Sequence, residues 1–135
     1  MQTIKSAAKQ GFGIIARMPL QFGLLTGKFN RNTTFSKTDH RNFRLNPEVL
    51  HRSLDVLEPC WEIAAKYDIG LDSFALSFVM SHPEISTVIP GIKTPQQAEA
   101  NSKNIIKLNQ QDLDELHNLY KDRFEDLLSF MQEKG

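Results

Sequence analysis

Residues Gly13–Lys28 read "GIIARMPLQFGLLTGK". A short apolar run, Ile14–Ala16, sits between breakers and leads into a corner rich in glycine that ends on a lysine. The run suits a strand buried on both faces. The corner invites a phosphate reading, and two familiar motifs must be weighed. A nucleoside-triphosphate loop needs four residues between its first glycine and the Gly-Lys pair, followed by Ser or Thr. Gly23 and Gly27 are separated by only three, and Phe29 follows Lys28. A Gly-x-Gly-x-x-Gly dinucleotide fingerprint also fails, because Gly11 and Gly13 precede the first strand instead of following it.

A second stretch has the same form. Ser86–Asn101 reads "STVIPGIKTPQQAEAN": a β-branched run, Ile85–Ile89, then Pro90-Gly91 and a helix opening at Thr94-Pro95. Between the two lie helical patterns. Asn46-Pro47-Glu48 is a capped helix start, and its stripe of Leu50, Leu54, Leu57, Trp61 and Ala64/Ala65 runs to about Tyr67 with Trp61 in the core. Pro59 within it predicts a kink or a split. Gly70 ends that element, Asp72 is placed to cap the next, and Phe74, Ala75, Phe78 and Val79 share a face. Asn109 opens a final long helix striped by Leu113, Leu116, Leu119/Tyr120, Phe124, Leu127/Leu128 and Met131. Before the first strand, Ile4–Gln10 form a short amphipathic helix stopped by Gly11. Arg31–Arg44 are polar and aperiodic, a long surface loop.

Helices separating two strands mean α/β with parallel pairing. Two short strands do not make a stable sheet alone, so the pattern reads as part of something larger, predominantly helical as an isolated chain, and organised as a single domain over residues 1–135.

Taken together, the strand-and-corner motifs closely resemble the C-terminal half of the aldo-keto reductases. In that family the seventh strand of an eight-stranded (β/α)8 TIM barrel ends in a pattern like "ARxPLxxGLLTGK" and the eighth in "xxVIPGxKxPxQxxxN". Residues Ile14–Lys28 and Ala75–Asn101 carry the resemblance, which implies a partial barrel containing only its last strands and helices. It also implies a nicotinamide dinucleotide as ligand, most often the 2′-phosphorylated form NADP, with NAD as the alternative. Phosphates in such barrels favour the loops after strands seven and eight, where free amides and a helix start point positive dipole ends at an anion.

The resemblance assigns roles one position at a time. Arg17 matches the residue lying against the nicotinamide ring, where a planar guanidinium can stack; a rim salt bridge is the competing reading. Pro19, Leu20 and Gly23 match the segment that tracks the pyrophosphate through its backbone, and Lys28 is either a mobile cation near the phosphates or a solvated lysine. Gly91 and Lys93 match the surroundings of the 2′-phosphate, with Lys93 as point charge or plain surface lysine. Gln97 and Asn101, four apart on one helix face, match residues that hold adenine and ribose. Gln97 has a rival role in a capping box with Thr94.

The family's proton donor is a tyrosine assisted by lysine, aspartate and histidine, all in the half this sequence does not contain. Tyr67 and Tyr120 fall in outer helices, and His40, His51, His82 and His117 lack metal-ligand spacing. The resemblance therefore implies an oxidoreductase's cofactor-binding portion, inactive alone. The rival expectation is a truncated nucleotide-binding or helical interaction module without catalysis. Self-association into a homodimer, or the missing N-terminal half, would satisfy the open strands.

Composition narrows the partners further. Sixteen basic and sixteen acidic residues cancel among 135, which gives no electrostatic reason to expect nucleic acid or a membrane surface. No apolar run approaches the roughly 20 residues needed to cross a bilayer. The single cysteine, Cys60, excludes an internal disulfide and reads as a packed thiol in a reducing, cytoplasmic setting. Asn32-Thr33-Thr34 matches a glycosylation sequon without a signal peptide before it, and is read as chance.

Overall fold

A computed structural model describes residues 2–134. The chain forms two compact units: residues 2–26 with 69–109, and residues 27–68 with 110–134. The first holds both strands.

In the first unit, α1 (Gln2–Lys9) ends as the sequence predicts. Gly11, at φ +83°, donates to Ala8 O at 3.0 Å while Phe12 donates to Ala7 O at 3.1 Å. That pair of bonds is the left-handed helix stop that favours glycine. Strands β1 (Ile15–Arg17) and β2 (Thr87–Ile89) then pair in parallel, Ile15 with Thr87, Ala16 with Val88 and Arg17 with Ile89. β2 is shorter than expected, and β1 keeps the expected length but is shifted by one residue. They are also not buried on both faces: Ile15 is 59% and Ile89 52% exposed. Burial of a parallel strand depends on neighbours across and beside it. Among the described residues, each of these two has one neighbour only.

Helix α4 (Leu71–Met80) packs on β2 and is buried along Ser73–Ser77. Gly70, and not Asp72, occupies its cap, while Asp72 Oδ1 accepts from the Ser73 N–H at 2.9 Å, one residue inside the helix. Ser77 of α4 and its C-cap residue Ser81 anchor the returning chain. Ser77 Oγ accepts from Ile106 N at 3.1 Å, and Ser81 Oγ accepts from Leu108 N at 2.9 Å while donating to Ser77 O at 2.7 Å. Each buried hydroxyl is thereby satisfied where an orphan would be costly.

The second unit is helical: α2 (Arg41–Arg44), α3 (Pro47–Ala64), α6 (Gln110–Leu119), a π-helical turn (Tyr120–Phe124) and α7 (Glu125–Lys134). Asn46 caps α3, its side chain accepting from Val49 N at 3.0 Å, and Pro47 opens it. Pro59 does not split α3. The helix loses the bond that the Pro59 nitrogen cannot donate, but Leu57, Cys60 and Ile63 around it are buried, and packing outweighs one lost bond. Trp61 is half-buried at the margin of that face, not in the core.

The segment read as one long loop ends in α2 and is internally braced. Phe29 and Phe35 meet edge to face at 5.3 Å, Arg41 lies over Phe35 at 4.8 Å, and Asp39 Oδ2 accepts from Arg41 Nη2 at 2.6 Å. The final helix is not regular either. The π turn adds a residue to its turn, leaving Tyr120 46% exposed while Leu116 and Leu127 are buried. Among the described residues no helix is long and apolar enough to cross a membrane.

Candidate functional site

The register of the sheet fixes the roots of both corners. Arg17 and Ile89 end their strands as direct partners in a parallel pair, so residues 18 and 90 leave the sheet at the same end, one strand spacing apart, about 4.8 Å.

The first corner has an unusual backbone. Met18 (φ 54°), Gln21 (φ 45°) and Phe22 (φ 58°) are left-handed without being glycine, and Gly23 follows at φ 94°. Such residues cost about 1–2 kcal/mol each and persist only where the surroundings over-determine them. Here Gln21 N donates to Met18 O at 3.0 Å, Gly23 N to Leu20 O at 2.9 Å and Leu25 N to Leu20 O at 3.3 Å. Thr26 Oγ1 donates to Gly23 O at 2.7 Å, and Pro19 and Leu24 are buried beneath. The sequence signals Gly23, but nothing in it reveals the three strained neighbours.

The second corner is open. A Cβ built on Gly91 meets no atom within 4 Å, and no positive φ requires glycine there. Nothing in the chain's own packing explains the residue. Helix α5 (Pro95–Ser102) follows with Thr94 as its cap, Thr94 Oγ1 accepting from Gln97 N at 3.2 Å. The reciprocal half of the expected capping box is displaced by one residue: Lys93 N, not Thr94 N, donates to Gln97 Oε1, at 2.7 Å. Asn101, one turn further along the helix, has its Nδ2 shielded from solvent and without a hydrogen-bond partner among the described residues. Leaving a donor in that state costs about 1–3 kcal/mol.

Eight of the nine residues singled out in the sequence, Arg17, Pro19, Leu20, Gly23, Gly91, Lys93, Gln97 and Asn101, fall in the first unit, and Lys28 falls in the second. Arg17 and Lys93 are exposed, and neither forms an ion pair among the described residues. A rim salt bridge for Arg17 is thus not formed within this chain's described part.

A buried titratable cluster in the second unit serves packing. Asp112, 3% exposed, accepts from Lys66 Nζ at 2.7 Å and from Tyr67 Oη at 2.5 Å, which joins the end of α3 to the first turn of α6. The Asp112 carboxylate holds the Lys66 ammonium above its ordinary value. Burial pushes the Cys60 thiol up to about 11, the signature of a packed thiol and not of a nucleophile. Among the described residues no group of three His, Cys, Asp or Glu side chains could hold a metal ion.

A parallel strand pair that sends two corners out at one end of a sheet, with helices between the strands, is α/β architecture. The aldo/keto reductase family model matches residues 2–121, and the chain belongs to that family. It is 29% identical over 115 residues to a probable pyridoxal reductase 2 of Schizosaccharomyces pombe, covering 76% of this chain and 33% of that protein. It is 30% identical over 103 residues to a probable voltage-gated potassium channel subunit beta of Arabidopsis thaliana, covering 70% and 30%. An NADH-specific methylglyoxal reductase of Escherichia coli is 24% identical over 91 residues, covering 66% and 28%. The fold is similar to that of the glycerol dehydrogenase AKR11B4 from Gluconobacter oxydans, with a TM-score of 0.73 at 23% identity over 89% of this chain and 37% of that one. The chain thus spans about a third of the length of the curated relatives it matches.

Proposed function

We propose that this chain is the dinucleotide-holding portion of an aldo/keto reductase barrel, a partial (β/α)8 structure carrying its last strands, and that its coenzyme is NADP(H). The observation that carries the reading is the Arg17–Ile89 register, which sets both corners at one end of the sheet. The shielded Asn101 Nδ2 and the unexplained opening at Gly91 support it, because each suits a polar, phosphorylated ligand approaching closely. When bound, the dinucleotide supplies a hydride for carbonyl reduction.

The chain's own part in that reaction is to bind and orient. The backbone of the Pro19–Gly23 corner would run beside the pyrophosphate, the Arg17 guanidinium would stack beside the nicotinamide, Lys93 would stand by the 2′-phosphate, and Asn101 would donate to the adenosine end. The acid catalyst of the reaction lies outside this chain: Tyr67 Oη is committed to Asp112, and Tyr120 stacks on Phe124 at 6.5 Å. Alone, the chain binds and does not reduce. The open strand edges and the exposed Ile15/Ile89 face are where further strands dock, from the remainder of the barrel or from a second copy. A cytoplasmic setting accords with the reduced Cys60.

Calorimetric titration of the chain with both dinucleotide forms tests this. Saturable binding, tighter for the phosphorylated form, is expected, together with no oxidation of reduced nicotinamide in the presence of an aldehyde. Absence of heat with either form defeats the proposal.

A further inference from the structure

In the first unit, α1 and the end of α4 leave a cleft of about 170 Å³ beside the entry to β2. Glu84 and Ile85 line it just before that strand begins, whereas the Pro90-Gly91 corner follows the strand's other end. Its apolar walls are Ile4 of α1, Phe78 and Val79 of α4, and Ile85. Phe78 is held in place by its neighbour one turn on: His82 Nδ1 donates to Phe78 O at 2.8 Å, and the two rings meet edge to face at 4.9 Å. None of the four walls is fully buried, and Ile4 is 38% exposed. The space suits one small hydrocarbon group, since an apolar cavity of about 150 Å³ holds a benzene ring.

The rim carries one charge of each sign. Lys5 lines the cleft from α1 and Glu84 lines it from the turn into β2. Neither forms an ion pair among the described residues, so both charges face one small space without neutralising each other. That arrangement selects an occupant by elimination. A carboxylic acid with a hydrocarbon tail would attract Lys5 and be repelled by Glu84, and an alkylamine would meet the reverse. A bare hydrocarbon would strip water from both charges and return nothing. A small zwitterion answers both, and an α-amino acid carries its two charges on one carbon, with its side chain free to enter the walls.

We propose that this cleft binds a free α-amino acid with an apolar side chain of leucine or phenylalanine size. Its carboxylate would sit on Lys5, its ammonium on Glu84, and its side chain among Ile4, Phe78 and Val79. The site is separate from the two corners and does not depend on the dinucleotide reading.

Titration of the full chain with leucine and with phenylalanine, followed by calorimetry and by the amide signals of Lys5 and Glu84, tests it. Saturable binding of at least one is expected. Isocaproate and isoamylamine, each leucine lacking one charge, should bind about three- to tenfold more weakly, the weight of one charged contact at an exposed rim. Glycine, which lacks the side chain, should not saturate. The variants give a crossed pattern that loss of fold would not: Lys5→Met should weaken leucine and strengthen isoamylamine, and Glu84→Gln should weaken leucine and strengthen isocaproate. Equal affinity for leucine and both one-charge analogues makes the cleft a seat for hydrocarbon alone and overturns the proposal. Saturation by glycine, or by neither leucine nor phenylalanine, overturns it as well.

Discussion

Lys66 and Tyr67, adjacent in sequence, both reach the same buried carboxylate: Asp112 receives the ammonium on Oδ1 and the phenol on Oδ2, from residues 46 and 45 positions away. Replacing Asp112 by Asn removes the charge and sets an N–H₂ against one of two donors. About 1.5–3 kcal/mol of stability should be lost, the range for hydrogen bonds to charged groups. Urea unfolding of Asp112→Asn, with Lys66→Met as a milder partner, measures it.

The same clamp has a pH dependence of known sign. The folded Lys66 value is raised above its unfolded one, so its stabilisation is complete below the unfolded value, about 10.4, and is lost as pH rises through the folded value. Asp39 runs the other way. Its carboxyl, bonded to Arg41, lies far below the usual range; its contribution is present above about pH 4 and declines in stronger acid. Urea midpoints followed from pH 9 to 11.5 should fall for the native sequence, and Lys66→Met should flatten that fall.

At the open corner, Gly91→Ala should leave the melting temperature unchanged, since the added methyl meets no protein atom. Dinucleotide affinity should drop by about tenfold if the ligand passes close to the Cα, as an obstructed approach of about 1.4 kcal/mol implies. Calorimetry beside a thermal melt separates the two effects.

Lys93→Ala should weaken the phosphorylated dinucleotide by about 1.5–3 kcal/mol, the weight of a charge-assisted bond, and the unphosphorylated form much less. Equal loss with both would take Lys93 out of the site.

The exposed sheet face predicts behaviour in solution. Ile15 and Ile89 present apolar surface beside unpaired strand edges, a combination that favours association. Ile15→Lys with Ile89→Lys should reduce concentration-dependent association in sedimentation velocity. The monomer's unfolding free energy should shift by no more than about 0.5 kcal/mol, as for surface substitutions.

What the sequence made legible was local. Gly11, Asn46-Pro47 and Thr94-Pro95 act within four or five residues of themselves, and each produced the expected helix end. Two motifs far apart in sequence located both corners of the candidate site. Strand burial was not legible, because it depends on strands that Ile15 and Val88 do not find among the described residues. The split at Pro59 and the core place of Trp61 are absent for a related reason: whether a helix survives a proline, and which of its residues face inward, is decided by what packs against it. The strained Met18, Gln21 and Phe22 carry no compositional mark at all. The shift of Gln97 from Thr94 to Lys93 is a matter of one residue's reach that spacing rules do not resolve.

The π-helical turn at Tyr120–Phe124 also bears on how this chain tolerates change in length. A turn that already holds a surplus residue can surrender it and close as ordinary α-helix, so a one-residue deletion is absorbed there with little backbone penalty. The helix beyond it keeps its phase, because the wide turn had already absorbed the surplus residue. Leu127 would stay in the interior, and Phe130 would stay beneath the Arg52 guanidinium, 3.9 Å from its ring. The same deletion within regular α7 would instead swing every side chain beyond it by about 100° about the axis, so length variants at this turn keep both their helix and their seam.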